Sequence, residues 1–201
     1  MSFKSNICLK SIFLVSGFLA ILATAAAADL SLSKMFGDNM VLQRWMRTPV
    51  WGIDRPGERV KIEIAGHSAI TVADEGGKWI AWLEGLEAGG PYTLEATGSS
   101  KVVVNNILVG EVWVCSGQSN MAMQVSRCLD ADKEISSADY PLIRQFMVQR
   151  VKAAEPAEKL SDPKEGEEDG RFNNWTVCSP STVGAFTAAG YFFARCIHLK
   201  S

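Results

Sequence analysis

The residues of this chain that are best suited to chemistry lie between positions 116 and 120, in the sequence Ser-Gly-Gln-Ser-Asn. An apolar, β-branched run from 106 to 114 precedes them and predicts a strand buried on both faces. The residues that follow, 121–124, favour a helix. A strand, a tight polar turn and a helix together hold a reactive group at the edge of a sheet, and Ser119 lies in that turn.

Ser119 is the candidate nucleophile of this turn, and it needs a base to take its proton and donors to stabilise an oxyanion. The N–H groups of a first helical turn are suitable donors. Asn120 could contribute to them or could simply cap the helix. Gly117 would allow a sharp turn where a side chain would clash. The pattern matches neither the Gly-x-Ser-x-Gly elbow nor a phosphate loop, so a capped helix start is the alternative interpretation.

The part from 29 to 105 has the pattern of an antiparallel β-sandwich. Short β-rich runs alternate with turns that contain Gly or Pro, and no helical stretch lies among them. The runs are 60–64, 69–72, 79–83, 92–96 and 101–104. We expect much of the core to come from four tryptophans, although an exposed tryptophan could instead stack on a sugar ring. They are Trp45, Trp51, Trp79 and Trp82.

Residues 1–28 have the features of a secretory signal peptide. Lys4 and Lys10 precede an apolar core from 12 to 22, and an alanine tract offers a cleavage site near Ala28. A retained membrane anchor is the alternative, but the apolar core is shorter than the ~20 residues of a membrane span. The prediction is a secreted, periplasmic or lysosomal protein that is free of the membrane after cleavage.

Composition narrows the class of ligand. The formal net charge is -2 and no basic cluster occurs, which argues against nucleic-acid binding. With two histidines and no closely spaced cysteine pair, the sequence predicts no metal site. Disulfides and buried free thiols are both compatible with the cysteines that follow the leader. These are Cys115, Cys128, Cys178 and Cys196.

Residues 110–121, Gly-Glu-Val-Trp-Val-Cys-Ser-Gly-Gln-Ser-Asn-Met, resemble the nucleophile block of the sialate O-acetylesterases, which are SGNH hydrolases. Four other segments are similar to further parts of that family, and they are 36–44, 88–92, 138–144 and 186–195. The resemblance implies an α/β catalytic domain of the SGNH, flavodoxin-like type over 106–201, after the all-β sandwich domain over 29–105.

The same resemblance implies a serine esterase that removes O-acetyl groups from sugars such as sialic acid, with no cofactor. Ser119 is the implied nucleophile, and its own N–H is one oxyanion donor. The residues implied in oxyanion or substrate binding are Gly117, Gln118, Asn120 and Gly184. Acetylxylan or another polysaccharide is an alternative substrate. A non-catalytic glycan-binding module, or an inactive one, is the alternative function.

The histidine base that such an esterase needs is not evident in the sequence. In the family an acid stands three residues before this histidine, but Arg195 stands three residues before His198, the only histidine after Ser119. A later family block with an oxyanion asparagine is also missing, and few strands are available for a doubly wound sheet. We therefore expect the chain to be a truncated, N-terminal part of a longer protein and to have little activity alone.

Overall fold

The structure is a computed structural model that describes residues 29–152, 154–155, 157, 159–161 and 172–200. The predicted leader at 1–28 lies outside these residues, as does most of the polar stretch from 152 to 170. Within the described part of the chain, no helix combines the length and the apolar character needed to cross a membrane.

Eight strands form two sheets in the first part of the chain. They are β1 (Ser31–Leu32), β2 (Val41–Gln43), β3 (Thr48–Ile53), β4 (Arg59–Ile64), β5 (His67–Val72), β6 (Lys78–Leu83), β7 (Gly89–Thr97) and β8 (Lys101–Gly110). One sheet has the order β1-β3-β6 and the other the order β2-β8-β7-β4-β5. The five β-rich runs correspond to β4–β8, whereas the sequence did not indicate β1–β3. The β2–β8 pair is parallel, which differs from the predicted antiparallel arrangement.

Both sheets contribute to one hydrophobic core that is mainly aliphatic. Strands such as β4 and β6 alternate between buried and more exposed positions, as strands with one face on a core do. Trp79 is buried, but Trp45 is 63% exposed, Trp82 is 40% exposed and Trp51 is half-buried. The prediction that tryptophans supply much of the core is therefore wrong, because Val, Ile and Leu already fill the inner faces.

Strand β8 runs without a break across positions 105 and 106, where a domain boundary was expected. Residues 107–109 are buried, as predicted. Val112, Trp113 and Val114 are outside any strand and are 39%, 59% and 92% exposed. The difference arises because the parallel pairing with β2 ends at the Gln43–Gly110 pair, so the described chain offers no strand partner beyond it. The predicted strand from 106 to 114 is thus correct only for its first half.

The second part of the chain contains two α-helices and a pair of strands. After two single 3₁₀ turns come α1 (Ala131–Ser137), β9 (Tyr140–Phe146), β10 (Trp175–Cys178), a third 3₁₀ turn and α2 (Ala188–His198). The sequence predicts a short helix over 129–137, strands over 142–148 and 175–178, and a helix that ends near 199, and these elements agree with that prediction to within a few residues. Their arrangement differs, however, because β9 and β10 pair antiparallel instead of lying as parallel neighbours in a doubly wound sheet.

Arg144 on β9 joins the two parts of the molecule. Its guanidinium group donates hydrogen bonds to the carbonyl oxygens of Asn39 and Asn106, at 3.0 and 3.4 Å. Burial lowers the pKa of Arg144 from its usual value. A separate hydrophobic cluster, which includes Val125, Val183 and Tyr191, forms the core beneath α2.

Candidate active site

Ser119 is the first residue of a single 3₁₀ turn, Ser119–Met121, where an α-helix was predicted. The turn is closed by hydrogen bonds from the Met121 N–H to the Gln118 carbonyl and from the Ala122 N–H to the Ser119 carbonyl, at 2.9 and 3.0 Å. The φ angle of Ser119 is +44°, a left-handed value that is uncommon for a residue with a Cβ atom. Its side chain is exposed, and its hydroxyl has no hydrogen-bond partner among the described residues.

Gly117 gives the backbone the sharp bend that leads to Ser119. Its φ is +150°, and a Cβ atom added there would lie 2.9 Å from the Cγ atom of Met121. Contacts that short require a neighbour to move. The structure thus gives a physical reason for glycine at this position, in agreement with the steric argument made from the sequence.

Two backbone N–H groups at the start of the turn are available to a ligand. The N–H groups of Ser119 and Asn120 have no acceptor within the described part of the chain, as expected for the first residues of a helical turn. Gln118 occupies the N-cap position, and no side chain caps the turn. The alternative role of Asn120 as a helix cap is therefore wrong. The roles of Gln118 and Asn120 in oxyanion or substrate binding stay predictions.

The N-terminus of α2 holds the 3₁₀ turn in place. The Thr187 hydroxyl donates a 2.6 Å hydrogen bond to the Met121 carbonyl, and the Ala188 N–H donates a 2.8 Å bond to the Met123 carbonyl. The backbone N–H of Thr187 in turn donates to Oε1 of Gln145 on β9, at 2.8 Å. Ser119 is thus positioned by α2 and β9, two elements distant in sequence.

The side chains of the segment before Ser119 pack along the same helix. The rings of Trp113 and Phe193 meet edge to face, with centroids 5.0 Å apart and planes at 84°. A Cβ atom added to Gly190 would lie 3.2 Å from the Sγ atom of Cys115, so the absence of a side chain at Gly190 permits this close approach. The sequence pattern does not indicate these contacts, and Gly190, a glycine inside a helical stretch, is the one local signal of them.

His198 lies at the other end of α2 from the Ser119 turn. Its ring packs edge to face on Tyr140, with centroids 5.9 Å apart. At a rise of about 1.5 Å per residue, the helix separates Thr187 from His198 by roughly 16 Å. Arg195, three residues before His198, forms an ion pair with Glu134. The structure therefore places His198 against Tyr140, at the end of α2 that is distant from the Ser119 turn.

Gly184 lies in the third 3₁₀ turn, Val183–Ala185. A Cβ atom at this position would lie 3.4 Å from Cδ1 of Ile135 and 3.9 Å from the Cβ atom of Ser126. Gly184 therefore faces α1 and the second 3₁₀ turn, Val125–Arg127. Its role as an oxyanion donor stays a prediction.

A partly buried polar cluster beneath α2 was not identified from the sequence. The Tyr191 hydroxyl donates a 2.5 Å hydrogen bond to Glu134, which also pairs with Arg195. Burial raises the pKa of Glu134, but the hydrogen bonds from Tyr191 and Arg195 outweigh it and hold this pKa below its usual value. Burial and the neighbouring carboxylate raise the pKa of Tyr191. These interactions fasten α1 to α2.

The four cysteines of the described residues are free thiols, and only Cys178 is fully buried. Burial raises the pKa of the Cys178 thiol. Within the same residues, no group of three or more His, Cys, Asp or Glu side chains is placed to hold a metal ion.

Comparison with solved structures defines the class of protein to which this fold belongs. The chain matches the crystal structure of a carbohydrate acetylesterase from Xanthomonas citri with a TM-score of 0.78 and 31% sequence identity. The match covers 85% of this chain and 38% of that chain. Residues 29–200, as far as they are described, therefore have the architecture of part of a carbohydrate acetylesterase.

Curated relatives narrow the class to a family. The sialate O-acetylesterase of Mus musculus is 31% identical over 157 residues, which cover 72% of this chain and 29% of the mouse protein. The Homo sapiens sialate O-acetylesterase is 30% identical over 149 residues, or 68% of this chain and 28% of the human protein. No protein-family model matches the chain. The chain belongs to the sialate O-acetylesterase family and spans less than a third of the length of these relatives.

Proposed function

We propose that this chain carries the nucleophile of a serine esterase that removes O-acetyl groups from carbohydrates, and that Ser119 is that nucleophile. The observation that carries the proposal is the conformation of Ser119, which is exposed, has a φ of +44° and begins a 3₁₀ turn. Unusual backbone angles of this kind cluster at active sites, and nucleophilic serines of other hydrolases occupy strained turns.

The geometry supports a defined role for each group in acyl transfer. Ser119 Oγ attacks the acetyl carbonyl carbon, and the N–H groups of Ser119 and Asn120 donate hydrogen bonds that stabilise the negative charge developing on the carbonyl oxygen. A base takes the hydroxyl proton and delivers it to the departing sugar oxygen. Water then attacks the acetyl-enzyme, which releases acetate and restores the serine.

The base is the part of this chemistry that the described residues do not supply. Ser119 Oγ is hydrogen bonded to neither His67 nor His198. His198 packs on Tyr140 at the far end of α2, and His67 begins β5 in the first part of the molecule. For the 201-residue chain alone, we propose little turnover, limited to the residual rate of about a thousandfold over water that oxyanion and binding effects give.

We propose an O-acetylated sialic acid as the substrate, supported by the names of the mouse and human relatives. The Xanthomonas citri protein is described more broadly as a carbohydrate acetylesterase, which keeps acetylated polysaccharides such as acetylxylan as a second candidate. We also propose that the protein is exported. The supporting feature is the leader-like composition of residues 1–28, in which lysines precede an apolar core and an alanine tract.

The test is acetate release by the 201-residue chain and by the longest protein that its gene encodes. Substrates are 9-O-acetylated sialic acid, acetylxylan and p-nitrophenyl acetate. Ser119→Ala should lower kcat of the active form by about 10⁴-fold or more, while Ser116→Ala, an exposed serine of the same segment, should leave it nearly unchanged. Equal rates for Ser119→Ala and the unsubstituted protein would reject the proposal. The ratio of the two carbohydrate rates decides between the substrates.

A further inference from the structure

Trp45, in the turn between β2 and β3, combines high exposure with an unusual backbone conformation. Its side chain is 63% exposed, and its φ is +57°. This left-handed value is a genuine outlier for a bulky residue, whereas glycine adopts it at no steric cost. A large apolar ring is thus displayed to solvent on a backbone that favours glycine. Strain of this kind is typical of functional positions.

Contacts on several sides hold the indole ring of Trp45 in one orientation. Its backbone N–H donates to the Leu86 carbonyl, and its indole N–H donates to the Glu87 carboxylate, both at 2.9 Å. The Arg44 guanidinium lies 3.9 Å from the ring centroid, and Glu111 holds that guanidinium by a 2.6 Å ion pair. The ring is therefore fixed before any ligand arrives, which lowers the entropy cost of binding.

We propose that Trp45 is a stacking platform for a pyranose ring of a glycan. The C–H groups on one face of a pyranose are weakly positive and polarisable, so they pack against the negative face of an indole ring. The Arg44 guanidinium covers one face of the indole ring, so the pyranose packs on the opposite face. The Glu87 carboxylate, which accepts the indole N–H at the ring edge, provides an acceptor for sugar hydroxyl groups. Because charged groups hold the ring, a polyhydroxylated ligand fits this surface better than an apolar protein face does.

This platform is separate from Ser119 and does not depend on the esterase proposal. It lies close to the segment that leads to Ser119, because Glu111 accepts hydrogen bonds from both Arg44 and Gln43. The Gln43 side chain also accepts a 2.8 Å hydrogen bond from the Val112 N–H. A glycan on Trp45 would therefore lie close to Glu111 and Val112, where the segment that leads to Ser119 begins.

Isothermal titration calorimetry of the full chain with 3′-sialyllactose and with cellotetraose tests the platform. Trp45→Ala should weaken binding of the recognised sugar about tenfold or more, whereas Trp45→Phe, which keeps an aromatic face, should stay within about threefold. Trp82→Ala is the matched control, since Trp82 is 40% exposed and lies under Arg47. The Trp82→Ala chain should bind the sugar with the same affinity as the unsubstituted chain. No binding of either sugar at about 10 mM, or equal binding by Trp45→Ala, would overturn the proposal.

A stability measurement separates a binding role from a structural role. Trp45→Gly relieves the left-handed strain, so it should keep or raise the Tm of the chain and still abolish sugar binding. If Trp45 were only a structural residue, the same change would lower the Tm through lost packing and leave sugar affinity unaltered. That second pattern would also overturn the proposal.

Discussion

The Thr187 hydroxyl donates a 2.6 Å hydrogen bond to the carbonyl oxygen of Met121, two residues after Ser119. Thr187 is the residue before α2, and its own N–H is held by Gln145 on β9. The candidate nucleophile therefore owes its position to a residue almost seventy positions later in the chain, as well as to its local sequence.

Replacing Thr187 with valine removes the hydroxyl but keeps the shape of the side chain. We expect a loss of about 1 kcal/mol in the free energy of unfolding, because the Met121 carbonyl loses its donor. Urea denaturation measures this change. The control is Thr93→Val, since the exposed Thr93 hydroxyl makes only a 3.4 Å contact with Asn105. Similar effects of the two substitutions would show that the Thr187 bond contributes nothing specific.

Gly117→Ala should distort the turn that carries Ser119. The new Cβ atom would lie 2.9 Å from the Met121 Cγ atom, on a backbone with a φ of +150°. Strain at such positions costs about 1–3 kcal/mol, so we expect a lower Tm and a lower rate of acetyl release from the active form. Gly37→Ala serves as control, because no atom lies within 4 Å of the Cβ position there. An unchanged Tm for Gly117→Ala would contradict the steric argument.

The Glu134 cluster predicts a pH dependence of stability. Hydrogen bonds from Tyr191 and Arg195 hold the pKa of Glu134 below its usual value of 4.5 despite burial. A group whose pKa is lower in the folded state stabilises the fold above its unfolded pKa, and this stabilisation is lost as the pH falls through the folded pKa. We therefore expect Glu134→Gln to be destabilising at pH 7 and to have a smaller effect at pH 3.

Thermal unfolding of the unsubstituted chain and of Glu134→Gln between pH 3 and pH 7 measures the difference in stability between the two proteins at each pH. At pH 7 the loss should be about 1.5–3 kcal/mol, the value typical of hydrogen bonds to a charged group. A loss of the same size at pH 3 and pH 7 would show that the charge of Glu134 does not contribute.

Arg144→Met should loosen the contact between the two parts of the molecule. The substitution keeps an apolar stem and removes the donors that reach the Asn39 and Asn106 carbonyls. We expect a loss of about 1.5–3 kcal/mol in unfolding free energy and faster hydrogen exchange in β9. Arg150→Met is the control because Arg150 is exposed. If Arg144→Met and Arg150→Met lowered the free energy of unfolding by the same amount, Arg144 would not be a link between the two parts.

Local sequence patterns predicted the elements but not all of their packing. The alternation in β4–β6 and the glycine-rich turns between strands were sufficient to locate five of the eight strands of the first part. Strand β2 has only three residues, which is too short to show an alternating pattern in the sequence. It also pairs in parallel with β8, so no hairpin turn in the sequence marks its position. Burial was predicted correctly for Trp79 but wrongly for Trp45 and Trp82, and the alternation of β6 is equally satisfied when Trp82 lies on its outer face.

For the candidate site, the sequence indicated Ser119 and the need for Gly117, because both follow from the local turn. It did not indicate Thr187, Phe193 or Gly190, since contacts between segments far apart in the chain leave no periodic signal. The irregular form of 111–114, where a strand was predicted, was also missed. Apolar composition favours a strand there, but strand formation also requires a partner with free backbone groups.

The continuity of β8 has a practical consequence for dissecting the protein. A recombinant version that started at residue 106 would cut β8 in half and would remove β1–β7, including Gly89 and Tyr92, the β7 residues that pair with Val109 and Ile107. The remaining half-strand would expose the buried side chains of Ile107 and Val109 to water. A version starting before Ser31 keeps both sheets, and it also keeps β8 whole ahead of the segment that leads to Ser119.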